Sequence, residues 1–108
     1  MTTNAFLIDP FERTITAVDR GRFDSLATVY TLLDCRTVDA VRLLNSGRDS
    51  IYVDDNGLDR EGQAMFFCRL FPYQWLPGRG LWIGTTARGN DAAPEMTLDY
   101  ARAHIVWG

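Results

Sequence analysis

The chain of 108 residues contains no lysine; its eleven basic residues are all arginine. That removes Schiff-base chemistry, a lysine general base and the lysine of a phosphate-binding P-loop. Histidine is nearly absent too, with His104 alone, and the only cysteines are Cys35 and Cys68. So small a set of nitrogen and sulfur ligands argues against zinc. The two cysteines are far apart in sequence and form no C-x-x-C pair. In a reducing compartment they are expected as free, mostly buried thiols. No run approaches the roughly 18 apolar residues of a membrane-spanning helix. MTTNAFLIDP at the N-terminus has no basic region followed by an apolar one, so no signal peptide is expected. The expected location is the cytoplasm, with no membrane partner. There is no internal repeat, low-complexity segment or linker, which points to a single compact domain over 1–108.

What remains is ordinary globular material: 46% hydrophobic and 23% charged residues. The net charge is −3 and the pI about 4.9. This argues against nucleic acid as a partner, because neutralisation of phosphates supplies most non-specific affinity. The charge is also too small for the whole protein to mimic DNA.

AFLIDPFERTITAVD reads as a hairpin. Ala5 to Ile8 is apolar, Asp9-Pro10 signals a turn, and Thr14 to Val18 alternates with period 2. Phe23, Leu26, Val29, Tyr30 and Leu33 recur at three and four residues, which predicts a helix from about Asp24 to Asp34. TVDAVRLL alternates imperfectly, as in a strand partly covered on both faces. After the turn Asn45-Ser46-Gly47, a second strand runs from Ser50 to Val53 and stops at Asp54-Asp55-Asn56-Gly57. The apolar run AMFFC fits a buried strand or a helix fragment, and periodicity does not separate them. Phe71 to Leu76 is an aromatic loop between prolines, Leu81 to Thr86 a strand, and Asn90 to Pro94 a loop. Thr97 is the expected N-cap of a short helix over about 98–103, with Asp99 in its first turn. A last strand is expected near Ile105 to Trp107, with Trp107 closing the core. Short connections favour antiparallel pairing. The expected fold is α+β: a mainly antiparallel sheet of five to seven short strands, one main helix and a short C-terminal helix.

Three stretches invite a functional reading. LPGRGLWIGTTARGN carries Gly78, Gly80 and Gly84 around Arg79. The spacing G-x-G-x-x-x-G misses the dinucleotide motif, and these glycines precede and enter a strand instead of opening a helix. Turn formation at Pro77-Gly78 and relief of crowding at Gly80 account for them. A functional alternative is an anion site formed by Gly78, Arg79 and Gly80 with nearby backbone amides. YVDDNGLDREGQ resembles a calcium loop, but alignment on Gly57 puts Tyr52 and Gln63 where the end ligands belong. No metal site is expected. Asp54, Asp55, Asp59 and Glu61 read either as a solvated turn or as an acidic knob for a basic partner. FPYQWLPG places Tyr73 and Trp75 in a rigid loop, either folded over the core or exposed as binding anchors. His104, at a predicted helix end, suits a donor to free carbonyls. No carboxylate spacing and no Cys-His or Ser-His arrangement marks a catalytic site. Neither a catalytic residue nor a cofactor is expected.

The order FLIDPFERTIT, a helix ending LLDC, VDAVRLL, IYVDDNGL, MFFC, GRGLWIG and a short helix before HIVW resembles small phage- and plasmid-borne proteins of unknown function. The resemblance spans nearly the whole chain and transfers no catalytic residue. It implies a mobile-element origin and a host protein as partner, with inhibition of a host defence system as one form. The expectation is therefore a non-enzymatic interaction protein. The alternative is a binding module for a nucleotide or other anionic small molecule through the Gly78–Gly84 stretch. Homodimerisation through an edge strand is compatible with each.

Overall fold

The computed structural model of the protein describes residues 4–19 and 26–108. Its frame is the antiparallel hairpin of β1 (Asn4–Asp9) and β2 (Thr14–Asp19), paired from Asn4 with Asp19 to Asp9 with Thr14. The Asp9 carboxylate shapes the turn, accepting from the N–H groups of Phe11 (3.0 Å) and Glu12 (3.2 Å). Arg13 closes it with φ 58°. The helix α1 (Leu26–Leu33) follows; its expected start at Asp24 and the helical residue Phe23 lie outside the described residues. It ends where Asp34 takes φ 53° and the Cys35 N–H bonds to the Tyr30 carbonyl.

Strands β3 (Val38–Arg42) and β4 (Ser50–Asp54) form the second hairpin. Strand β7 (Gly80–Thr85) inserts between the two hairpins, antiparallel to β1 and β4. The resulting order is β2-β1-β7-β4-β3, with β8 (Asp91–Ala92) added to the end of β7. Strand β8 lies in the stretch expected to be only loop. Alternation along the strands sends two sets of side chains to two faces. Ala5, Leu81 and Ile83 meet Val29 and Leu33 of α1 on one face. Phe6, Ile8, Ile15, Ile51, Val53 and Trp82 belong to the core on the other. β3 is an edge strand, and it contributes to both: Val38 packs with the α1 side and Val41 with the opposite side.

The second face is covered by an element not anticipated in the sequence, a separate small sheet. β5 (Met65–Cys68) pairs with β6 (Leu76–Pro77) on one side and with β9 (Ile105–Trp107) on the other, all antiparallel. The AMFFC run is thus a strand. β6 forms at the end of the aromatic loop because Leu76 and Pro77 are pulled down beside Phe66 and Met65. The Phe66 ring lies over Gly80 of the main sheet, where an added Cβ would sit 2.7 Å from Phe66 Cζ. Gly80 therefore lets the two sheets approach. Beside the small sheet lies α2 (Leu98–His104), with Thr97 as N-cap accepting from the Tyr100 N–H at 3.1 Å. Its Ala101 is buried in the same core, and Trp107 packs against that core half-buried. No helix is long and apolar enough to cross a membrane among the described residues.

One buried carboxylate ties these layers together. Asp49, fully buried, accepts from the Trp82 indole N–H at 2.7 Å and from the N–H groups of Glu95 (2.8 Å) and Met96 (3.1 Å). The segment leading into α2 is thereby anchored to the middle of the main sheet.

Candidate interaction surface

The small sheet has two faces, and only one is spent on the core. Phe66, Cys68, Ile105 and Trp107 face inward, as register and burial require. The alternate residues Met65, Phe67 and Val106 turn outward, and all three are only half-buried. Trp75 of the 71–77 loop lies against this outward side, whereas Phe71 at the start of the loop packs against the core. Trp75 is 41% exposed and its ring packs at a tilt of 50° against Phe67, centroids 5.4 Å apart. Its edge also reaches toward Gly108 at the end of the chain. Tyr73 is 68% exposed and meets Phe71 edge-to-face at 5.0 Å. Leu44, 45% exposed, stands beside the start of the loop, its N–H bonded to the Leu70 carbonyl. Thus the two aromatics singled out in the sequence are each supported by another ring, Trp75 by the outward-facing Phe67 and Tyr73 by Phe71. The sequence did not single out Phe67 as a support. In MFFC every residue is apolar, so no alternation distinguishes its inward from its outward side chains.

The acidic turn and the glycine stretch come together at one end of the main sheet, next to β6. Asp54 ends β4, a single 3-10 turn spans Gly57–Asp59, and Gly78 with Arg79 leads into β7. Asp54 does not stand with the exposed acids: it is buried, binds the Arg60 guanidinium at 3.0 Å and accepts from the Asn56 N–H at 2.9 Å. Arg60 also donates to the Asp34 carbonyl at 2.9 Å, which clamps the turn to the end of α1. Its hydrogen bond with Asp54 pushes the Arg60 pKa above its ordinary value. Asp55, Asp59 and Glu61 remain exposed.

Arg79 is likewise engaged, 3.4 Å from the Asp9 carboxylate and 5.6 Å above the Phe11 ring. Gly78 takes φ 75° and donates to the Ala64 carbonyl, while Gly80 is buried under Phe66. The loop therefore presents a neutralised arginine and an amide already bonded within the fold. Two adjoining clefts, about 490 and 280 Å³, meet at Asp34, Asp54 and Arg60. Cys35 lines the larger. Burial first, then the Asp54 charge, push its thiol above the ordinary range, so it stays protonated rather than nucleophilic.

His104 closes α2, its Nδ1–H donating to the Tyr100 carbonyl at 2.7 Å and its ring lying 4.2 Å from the Tyr100 ring. Cys35 and Cys68 are both free thiols. Among the described residues, no three His, Cys, Asp or Glu side chains are grouped to hold a metal ion. No known protein family, curated protein or solved structure matches the chain.

Proposed function

We propose that the protein is a non-enzymatic protein-binding module whose contact surface is the outward face of the small sheet. The observation that carries this reading is the pair Tyr73 and Trp75, both exposed yet held in place by ring contacts to Phe71 and Phe67. Large aromatics fixed before binding lose little conformational freedom on contact, and such residues dominate binding energetics. Exposed acids at Asp55, Asp59 and Glu61 offer a charged complement elsewhere on the surface, useful for steering a basic partner. On this reading the partner is a host protein, with interference with a host defence system as one form of the outcome; the resemblance to mobile-element proteins supports it.

The test is affinity for a partner recovered from host cells and then purified. Trp75→Ala and Tyr73→Ala are each expected to weaken binding by about 2 kcal/mol, roughly thirtyfold. Leu58→Ala is the control for loss of exposed apolar area, because Leu58 is 70% exposed but belongs to the 3-10 turn and not to the small sheet or the aromatic loop. Unchanged affinity in both aromatic variants would remove this face from the mechanism.

A further inference from the structure

The main sheet carries a second feature, at the end where β3, β4 and β7 meet the β7–β8 turn. Arg42 of β3 pairs directly with Ser50 of β4, and Ser50 with Ile83 of β7. Thr85 lies two residues beyond Ile83, so Arg42, Ser50 and Thr85 share one face. Arg48, from the turn before β4, and Thr86 complete an open pocket of about 270 Å³ with backbone at Gly89. No carboxylate lines it. Among the described residues, neither the Arg42 nor the Arg48 guanidinium has an ion-pair or hydrogen-bond partner. Arg60, Arg79 and Arg102, by contrast, are held by carboxylates or carbonyls. The neighbouring acids are engaged: Glu95 accepts from the Arg48 backbone N–H, and Asp91 from the Tyr52 hydroxyl.

We propose that this pocket binds a small phosphoryl anion, with Arg42 and Arg48 as the two cationic jaws. A guanidinium presents a planar fork of N–H donors that matches two oxygens of a tetrahedral oxyanion. Ser50, Thr85 and Thr86 add hydroxyl donors. Thr86 Oγ1 accepts from the Asn90 N–H at 3.1 Å and keeps its own proton to donate. The volume lies just under the range for drug-sized ligands, which favours free phosphate or a small monoester over a nucleotide. The net charge of −3 makes this basic pocket a local feature, not part of a general cationic surface.

The experiment titrates inorganic phosphate and the monoester O-phosphoserine into the protein by calorimetry and thermal shift, against sodium chloride at equal ionic strength. Saturable binding and a rise in Tm beyond the chloride response are expected. A preference for O-phosphoserine assigns a monoester, and equal response assigns free phosphate. Arg42→Gln and Arg48→Gln are each expected to weaken binding about ten- to a hundredfold. Arg79→Gln, at the far end of β7 and already paired with Asp9, leaves it unchanged. As a second reading on the unmodified chain, backbone amide signals of Thr85 to Gly89 shift on titration. A response no larger than that of chloride, or one that survives the double Arg42→Gln, Arg48→Gln change, overturns the proposal.

Discussion

At the scale of single residues, Asp49 carries the largest concentrated role. Three N–H donors converge on one fully buried carboxylate. Asp49→Ala strands the Trp82 indole N–H and two backbone N–H groups, and each buried unpaired donor costs about 1–3 kcal/mol. A loss of roughly 3 kcal/mol or more is expected, read as a lower urea midpoint at unchanged slope. Glycines obey the same logic through sterics. Gly80→Ala drives a methyl group against Phe66 and Ile51, whereas Gly84→Ala drives one into the Ala93 backbone carbonyl. A ring shifts more readily than a backbone carbonyl, so Gly84→Ala is the more destabilising of the two. Urea midpoints of the two variants give the ranking directly. Cys68 supplies a pH dependence. Burial raises its thiol pKa above the ordinary 9.0, so the folded state keeps a proton that the unfolded state releases. Stability attributable to Cys68 is full below pH 9.0 and falls as pH rises through the raised value. Cys68→Ala, compared with the unmodified chain by unfolding across this alkaline range, should show a shallower decline with pH.

At the scale of elements, the strand edges of the main sheet are closed by side chains. On β3, the Asp39 carboxylate accepts from the Ala40 N–H, a group that points away from β4. On β2, the Arg102 guanidinium of α2 donates twice to the Ile15 carbonyl, at 2.8 and 3.2 Å. Both devices occupy groups that would otherwise template another strand. Removal of the first by Asp39→Val is expected to promote self-association, seen as a concentration-dependent rise in mass by sedimentation. A variant that stays at the mass of the unmodified chain at high concentration would show that Asp39 does not guard the edge. The α2 element depends on its cap: Thr97→Ala removes the acceptor for the Tyr100 N–H and is expected to cost about 1 kcal/mol. Thr97 and Asp99 were legible in the sequence because capping is local. The β6 and β8 pairs were not, since two-residue strands have no period and exist only where a neighbour supplies bonds.

At the scale of the whole molecule, the topology joins distant parts of the chain. Phe6 pairs with Trp82, and Phe66 with Trp107, so both sheets need long-range closure before they gain their bonds. Loop closure of that kind slows folding, and refolding in the range of milliseconds to seconds is expected from stopped-flow fluorescence. Trp82, fully buried beside Phe6 and Tyr100, is the natural reporter of the core. Trp75, on the outward face, should account for the largest quencher-accessible fraction of the emission.

The sequence by itself determined the class of fold. Period-2 segments, the period of α1 and the cap of α2 are local patterns, and short turns leave antiparallel pairing as the simple outcome. It also marked Tyr73, Trp75, the acidic turn and the glycines as candidates. Only tertiary structure decided their roles, because exposure and pairing depend on residues far away in the chain. Asp54 and Arg79 look like available charges in sequence, yet Arg60 and Asp9 neutralise them across folded turns. Arg42 and Arg48 carry no motif, and they gain meaning only because β3, β4 and the β7–β8 turn bring them beside three hydroxyls. An exposed and a buried aromatic are spelled alike, and the second sheet, closed by β9 from the end of the chain, is what separates Trp75 from Trp107.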